Sequence, residues 1–169
     1  MSQISNIEPR DRLYASLPYI LPMSAVVIFG AGILQQFLPL QYIFFPFFWL
    51  YRNVLMFPVV PLLGLNGEFV ILIGLYLLII RDSRINHFVR FNTMQAILLE
   101  IVIFLTQLSI SLLAQIVGGV SSVALMLEVL GNTVFLGIVA ACIYAIAQNI
   151  AGKYSEIPGI SEAAAMQCE

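Results

Sequence analysis

The chain has 169 residues and a formal net charge of -2, with 61% hydrophobic and only 9% charged residues and a mean hydropathy of +1.00. Soluble domains carry about a quarter charged residues and under half apolar ones, and a domain of this length leaves about a third of its surface exposed. So much apolar surface excludes an ordinary soluble domain, and the weak charge without any run of Lys or Arg excludes a nucleic-acid partner.

At the N-terminus Glu8, Arg10, Asp11 and Arg12 precede an apolar stretch too long for a signal-peptide core and without a small-x-small cleavage site. The first span is therefore expected to stay in the mature protein. The segment is also not the Ser- and Arg-rich, acid-poor sequence of a plastid transit peptide, which points to a bacterial or organelle-encoded chain.

A hydrocarbon core of about 30 Å needs about 20 helical residues. On that measure the uncharged runs predict an all-α integral membrane protein, a single membrane domain over residues 1–169. It has four transmembrane helices, at about 17–34, 60–80, 91–116 and 124–150. Between the first two lies FLPLQYIFFPFFWLY, residues 37–51, aromatic throughout and broken by Pro39 and Pro46. Trp and Tyr favour the headgroup boundary and proline interrupts helical hydrogen bonding, so this reads as an interfacial or re-entrant element, with a simple second span as the alternative. Glu68 falls about a third of the way into the second span, at a costly depth unless it pairs or reaches the interface.

The stretch RDSRINHFVR, residues 81–90, is the most charged in the chain and reads as a basic loop. Its His87 reads as a solvated residue, since a metal site commonly needs three or four ligands. Gly118, Gly119, Ser121 and Ser122 supply turn chemistry after the third span. In the fourth, Gly137, Ala141 and Ala145 recur at four-residue spacing, predicting a face where a neighbouring helix approaches closely. Residues 151–169 form a short tail. With the N-terminus inside, Arg10, Arg12, Arg81, Arg84, Arg90 and Lys153 fall on the inner side and only Arg52 outside, which fits the positive-inside rule and puts both termini inside.

An intramembrane carboxylate is a functional suspect because of its insertion cost, and Glu100 is the strongest one. At about 100° per residue, Thr93, Glu100, Gln107 and Ser111 fall on one stripe of the third span. That stripe is expected to face protein or water, as a lining for a solute or polypeptide or as hydrogen-bonding glue between helices. Glu68 and Glu128 lie nearer the span ends. No nucleophile–base pair, phosphate-cradling loop or redox motif appears, and Cys142 and Cys168 have neither disulfide nor metal spacing. No catalytic residue, cofactor or metal is expected, and the chain does not read as an enzyme.

Three segments carry a resemblance. RINHFVRFNTMQAILLEI, residues 84–101, closely resembles the start of the third span in the twenty-kilodalton subunit of the chloroplast inner-envelope protein translocon, the Tic complex, and in its cyanobacterial relatives. DRLYASLPYILP, residues 11–22, is similar to the opening of that family's membrane domain, and GKYSEIPGISEAAAMQ, residues 152–167, to its tail. The matching positions are Arg90, Phe91, Asn92, Gln95, Glu100, Tyr154, Ile157 and Pro158. The alanine triplet Ala163, Ala164 and Ala165 departs from it, since a larger residue is expected there.

The resemblance implies four helices with both termini on the stromal side and a role as membrane core of a preprotein-conducting channel. It points to a cyanobacterial or plastid-encoded homologue in a plasma, thylakoid or inner-envelope membrane. The partners it implies are membrane lipid, other membrane subunits or further copies of the chain, and translocated polypeptides. Two other readings stand beside it. One is a small-solute or ion transporter using Glu100, and the other a structural or assembly subunit of a larger photosynthetic membrane complex.

Overall fold

The computed structural model describes residues 7–117 and 121–168. Its first part is a helical rod built of short pieces: α1 (Pro9–Ser16), a 3-10 turn at Leu17–Tyr19, α2 (Ile20–Ala25), a second 3-10 turn at Val26–Ile28, and α3 (Ala31–Gln36). Ser16, Tyr19, Ala25 and Phe29, at the joints, all keep right-handed helical angles, so the pieces remain collinear in sense. Pro18 and Pro22 cannot donate to the helical ladder, which favours the tighter turns around them. The rod starts at Pro9 rather than near residue 17 because a proline in the first turn presets the helical φ without losing a bond.

Phe37 is extended, with φ −119° and ψ 91°, and turns the chain back on itself. The aromatic segment then forms a helix, α4 (Leu38–Leu50), which widens into a π turn at Tyr51–Leu55. It packs along the second half of the rod, where Gln41 and Phe44 line one cleft with Ala31 and Leu34, and Tyr51 lines another with Ala25 and Ile28. There the helix stops. An antiparallel hairpin follows, β1 (Pro58–Val60) against β2 (Leu65–Asn66), the one β structure among the described residues and an exception to the all-α expectation.

The second span was expected from residue 60, but its helix starts only at Gly67. Pro58 and Pro61 lack the N–H a helix would need, and Gly64 takes a left-handed φ of 66°. Asn66 caps the new helix, its Oδ1 accepting from the Phe69 amide. Helix α5 (Gly67–Leu75), continued by a π turn at Tyr76–Ile80, shares a cleft with the first half of the rod, Ile71, Leu75 and Ile79 lining it together with Tyr14, Leu17 and Leu21. Glu68 is thus in the first turn of α5, not a third of the way along a span, and it is buried. Gly67 lies so close to the Val54 carbonyl that any Cβ would collide with it, which keeps the two half-helices in contact at the break.

The basic loop is shorter than expected because Asn86 caps α6 (His87–Val117), its Oδ1 accepting from the Phe88 amide at 3.0 Å. The expected turn around Gly118 and Gly119 lies outside the described residues. Helix α7 (Ser121–Ile150) follows, and the tail ends in α8 (Ile160–Cys168). Helices α6 and α7 are each long and apolar enough to cross a membrane.

The inward face of α7 carries Gly131, Phe135, Ile138, Cys142, Ala145 and Asn149, at alternating steps of four and three. A four-residue step drifts about 40° around the helix, so of the expected small-residue face only Ala145 is fully buried. Ala141 is half-buried and Gly137 exposed. The close approach is made elsewhere, at Gly30 of the rod, where a Cβ would come within 2.6 Å of the Phe135 ring. Around this packing gather Tyr19, Val26, Leu55, Leu99 and Phe44, which make the main core. The outside stays apolar: Leu62 is 95% exposed, and Tyr42 and Ile116 each 79%.

Candidate functional site

Polar residues concentrate where α6 begins, the rod passes and the tail folds back. Asn92 and Gln95 are fully buried there. The Tyr19 hydroxyl lies 3.1 Å from Asn92 Oδ1 and 2.7 Å from Gln95 Oε1, and gives its one proton to the nearer. Asn92 Nδ2 donates to the Phe88 carbonyl. Gln95 Oε1 also accepts from Ser155 Oγ at 2.6 Å, and Gln95 Nε2 donates to the Ser155 carbonyl and to Ser161 Oγ. Ser161 Oγ in turn accepts from the Ile157 amide at 2.6 Å. One glutamine thus ties three elements, the rod, α6 and the tail, in a dehydrated space where each such bond matters more than in water.

Other motif positions brace the same latch. Arg90 Nε donates to the Ile80 carbonyl, closing the end of α5. The Tyr154 ring packs edge-on against Phe88 and Phe91, and its hydroxyl sits 3.1 Å from His87 Nδ1. Burial raises the Tyr154 phenol above its usual pKa. His87, expected in a loop, is the first residue of α6 and remains exposed. Ile157 is buried and Pro158 exposed. Phe91, Met94 and Ile97 hold Ala164 and Cys168 of α8; burial raises the Cys168 thiol while Arg90 lowers it.

The stripe expected along α6 is divided. Thr93 and Glu100 are fully buried, whereas Gln107 and Ser111 are exposed, because the helices that cover α6 do so along its first half only. Thr93 Oγ1 donates to the Val89 carbonyl. Both carboxylate oxygens of Glu100 are buried without a hydrogen-bond partner among the described residues. Glu68 and Tyr51 stand within electrostatic reach of it. One to two turns further along the same face, a cleft of about 170 Å³ opens at the helix break, lined in part by Tyr51, Asn66, Glu68, Ile103 and Gln107. No cluster of three potential metal ligands occurs among the described residues.

Tyr19, Ser155 and Ser161 were not singled out from the sequence, although the first lies in the opening segment and the serines in the tail. Their partners are 60 to 76 residues away along the chain, a distance at which no local spacing gives a signal.

These features define a helical membrane protein with two helices long enough to span the bilayer, closed at its charged end by a buried amide–hydroxyl latch. The family model for the Tic20-like chloroplast import apparatus matches residues 6–164, and the chain belongs to the Tic20 family. It is 37% identical to a Tic20 family protein of Synechocystis over 99% of this chain and 98% of that one. It is 30% identical to the chloroplastic protein TIC 20-v of Arabidopsis thaliana, over 96% of this chain and 73% of that one. With the Tic20 family protein Ycf60 of the alga Gracilaria tenuistipitata it shares 32% over 98% of this chain and 79% of that protein.

Proposed function

We propose that the chain is a membrane-embedded, channel-type subunit of a protein translocon, crossing the bilayer four times with both termini inside. Arg12 contacts the end of α7, and Asp11 meets Asn86 beside Arg84, so the N-terminal end of the rod, the 81–86 loop and the end of α7 gather at one end of the bundle. Positive charge concentrated there marks the inner face. In this reading the second crossing is made jointly by α4 and α5, and residues 51–66 lie near mid-depth beside Ala25, Ile28 and Ile103.

The observation that carries the proposal is that break. Lipid does not accept non-helical backbone or an exposed cation at such depth, yet the hairpin is exposed there, and so is Arg52, which in this reading lies at mid-depth and not on the outer side where the charge count had put it. A polar path or a companion subunit covers both. The cleft holding Glu68, with Glu100 beneath it, gives such a path a negative wall suited to cationic groups of a polypeptide. The family's description as a chloroplast import apparatus supports reading this role as protein import; in a cyanobacterium the membrane would be the plasma or thylakoid membrane, in a plastid the inner envelope.

A solute or ion transporter is the second reading, favoured by the discontinuous helix and by a carboxylate at mid-depth without a partner among the described residues. The test is Glu100→Gln, which keeps shape and hydrogen bonding. The expected result is normal insertion and assembly with reduced crosslinking of a translocating polypeptide. Normal crosslinking at normal protein level rules out a charge-dependent path, and a loss confined to solute flux favours the transporter.

A further inference from the structure

The rod and α5 run side by side at the charged end without interlocking. Between them is a cleft of about 560 Å³. One wall is Tyr14, Leu17 and Leu21, at steps of three and four along the rod; the other is Ile71, Leu75 and Ile79, at steps of four along α5. Both are regular helical stripes, and each presents apolar side chains to an unfilled gap about 12 Å long, at 1.5 Å rise per residue from Ile71 to Ile79.

The mouth of this cleft is polar and carries a cation. Arg84 lines it together with Asp11 and Asn86. Among the described residues, Arg12 and Arg90 commit their guanidinium groups to main-chain carbonyls. Arg84 is bound to Asp82 only through its backbone amide, leaving an exposed guanidinium without a partner among the described residues. Asp11 is occupied on one oxygen by Asn86 Nδ2 at 2.7 Å, and its other oxygen remains an acceptor for a hydroxyl.

We propose that this cleft is a binding site for an anionic phospholipid, with one acyl chain between the rod and α5 and the headgroup phosphate on Arg84. A guanidinium binds phosphate by charge-assisted, paired hydrogen bonds. An apolar slot between helices with an arginine at its mouth can hold a lipid by its chain and its phosphate at once. Phosphatidylcholine carries the same phosphate, so selection rests on the rest of the headgroup: its quaternary ammonium offsets the phosphate charge beside Arg84 and cannot donate a hydrogen bond to Asp11, whereas the hydroxyls of phosphatidylglycerol can, and the slot takes the chain of either lipid. The bound lipid would fill the space that side chains leave open between the half-helix α5 and the rod. The site rests on these helices being membrane-embedded, but not on which face of the membrane is inner.

The experiment is native mass spectrometry of the full chain, purified in mild detergent with equal phosphatidylglycerol and phosphatidylcholine. The wild type is expected to retain one phosphatidylglycerol, preferred about tenfold over phosphatidylcholine, and Arg84→Gln to lose that preference. Leu75→Trp, which fills the slot, should abolish retention of either lipid. Arg81→Gln, an exposed arginine outside the cleft, should behave as wild type. Equal retention of the two lipids by the wild type, or unaltered preference in Arg84→Gln, overturns the site. So does an equal loss in Arg81→Gln, which would reduce the effect to general surface charge. Carbonate extraction of the same variants reports insertion separately, so failure of the lipid site is distinguishable from failure of the membrane reading.

Discussion

Gln95 satisfies its carbonyl and its amide inside a space closed by apolar side chains, and it does so with groups from two distant parts of the chain. Replacing it by Leu would keep helix α6 but orphan the Ser155 hydroxyl, while the Tyr19 hydroxyl keeps Asn92 and Ser161 keeps the Ile157 amide and the Ser155 carbonyl. A buried polar group so orphaned costs about 1–3 kcal/mol. Gln95→Leu is therefore expected to lower the unfolding temperature in detergent and to release the tail, seen as faster protease cleavage within residues 153–159. A tail as resistant as in the wild type would show that packing by Phe91, Met94 and Ile97 alone holds it. At this scale the sequence was informative where a single residue violates the local composition. Glu100 stood out as a carboxylate in an apolar run, and the structure buries it completely. Tyr19 and Ser155 violate nothing locally, so only the folded chain shows them to belong together.

The same contrast holds for elements. Aromatic density and two prolines marked residues 37–51 as a unit apart from the first span, and α4 with its extended entry at Phe37 occupies that stretch. The hairpin after it was illegible, because Val59, Val60, Leu62 and Leu63 have the hydropathy of a span. The deciding factors are Pro58, Pro61 and Gly64, which act through the backbone. Helix α5 keeps only the residues from Gly67 onward, about 21 Å of helix to Ile80, too short to cross alone. If α4 enters from the outer side and ends at mid-depth, cysteines at Phe37 and Asn53, both exposed, should react with a membrane-impermeant thiol reagent from that same side. The second should react more slowly, since the reagent must enter the cleft. Labelling from opposite sides would make α4 a complete crossing and reverse the direction of every later helix.

For the whole molecule, the distribution of charge and the packing of helices bear on the same question. Composition points to a membrane, and in the proposed four-crossing topology the positive-inside count groups residues 81–90 with both termini. The fold brings Arg12 to the Ile150 carbonyl and Asn86 to Asp11, joining the regions that the charge count had grouped. Helix α6, with 31 residues, is about 46 Å long, half as long again as the hydrocarbon core; the excess lets its first turns stay in the latch while the rest crosses. If so, reporters fused after Arg90 and at the C-terminus should both be read on the inner side, and one inserted near Gly119 on the outer side. An outer location for the fusion after Arg90 would break the model at its most constrained point. Arg90 is bound to the end of α5, and Asn86, which caps α6, to the start of the rod. No local rearrangement moves that loop without dismantling the charged end of the bundle.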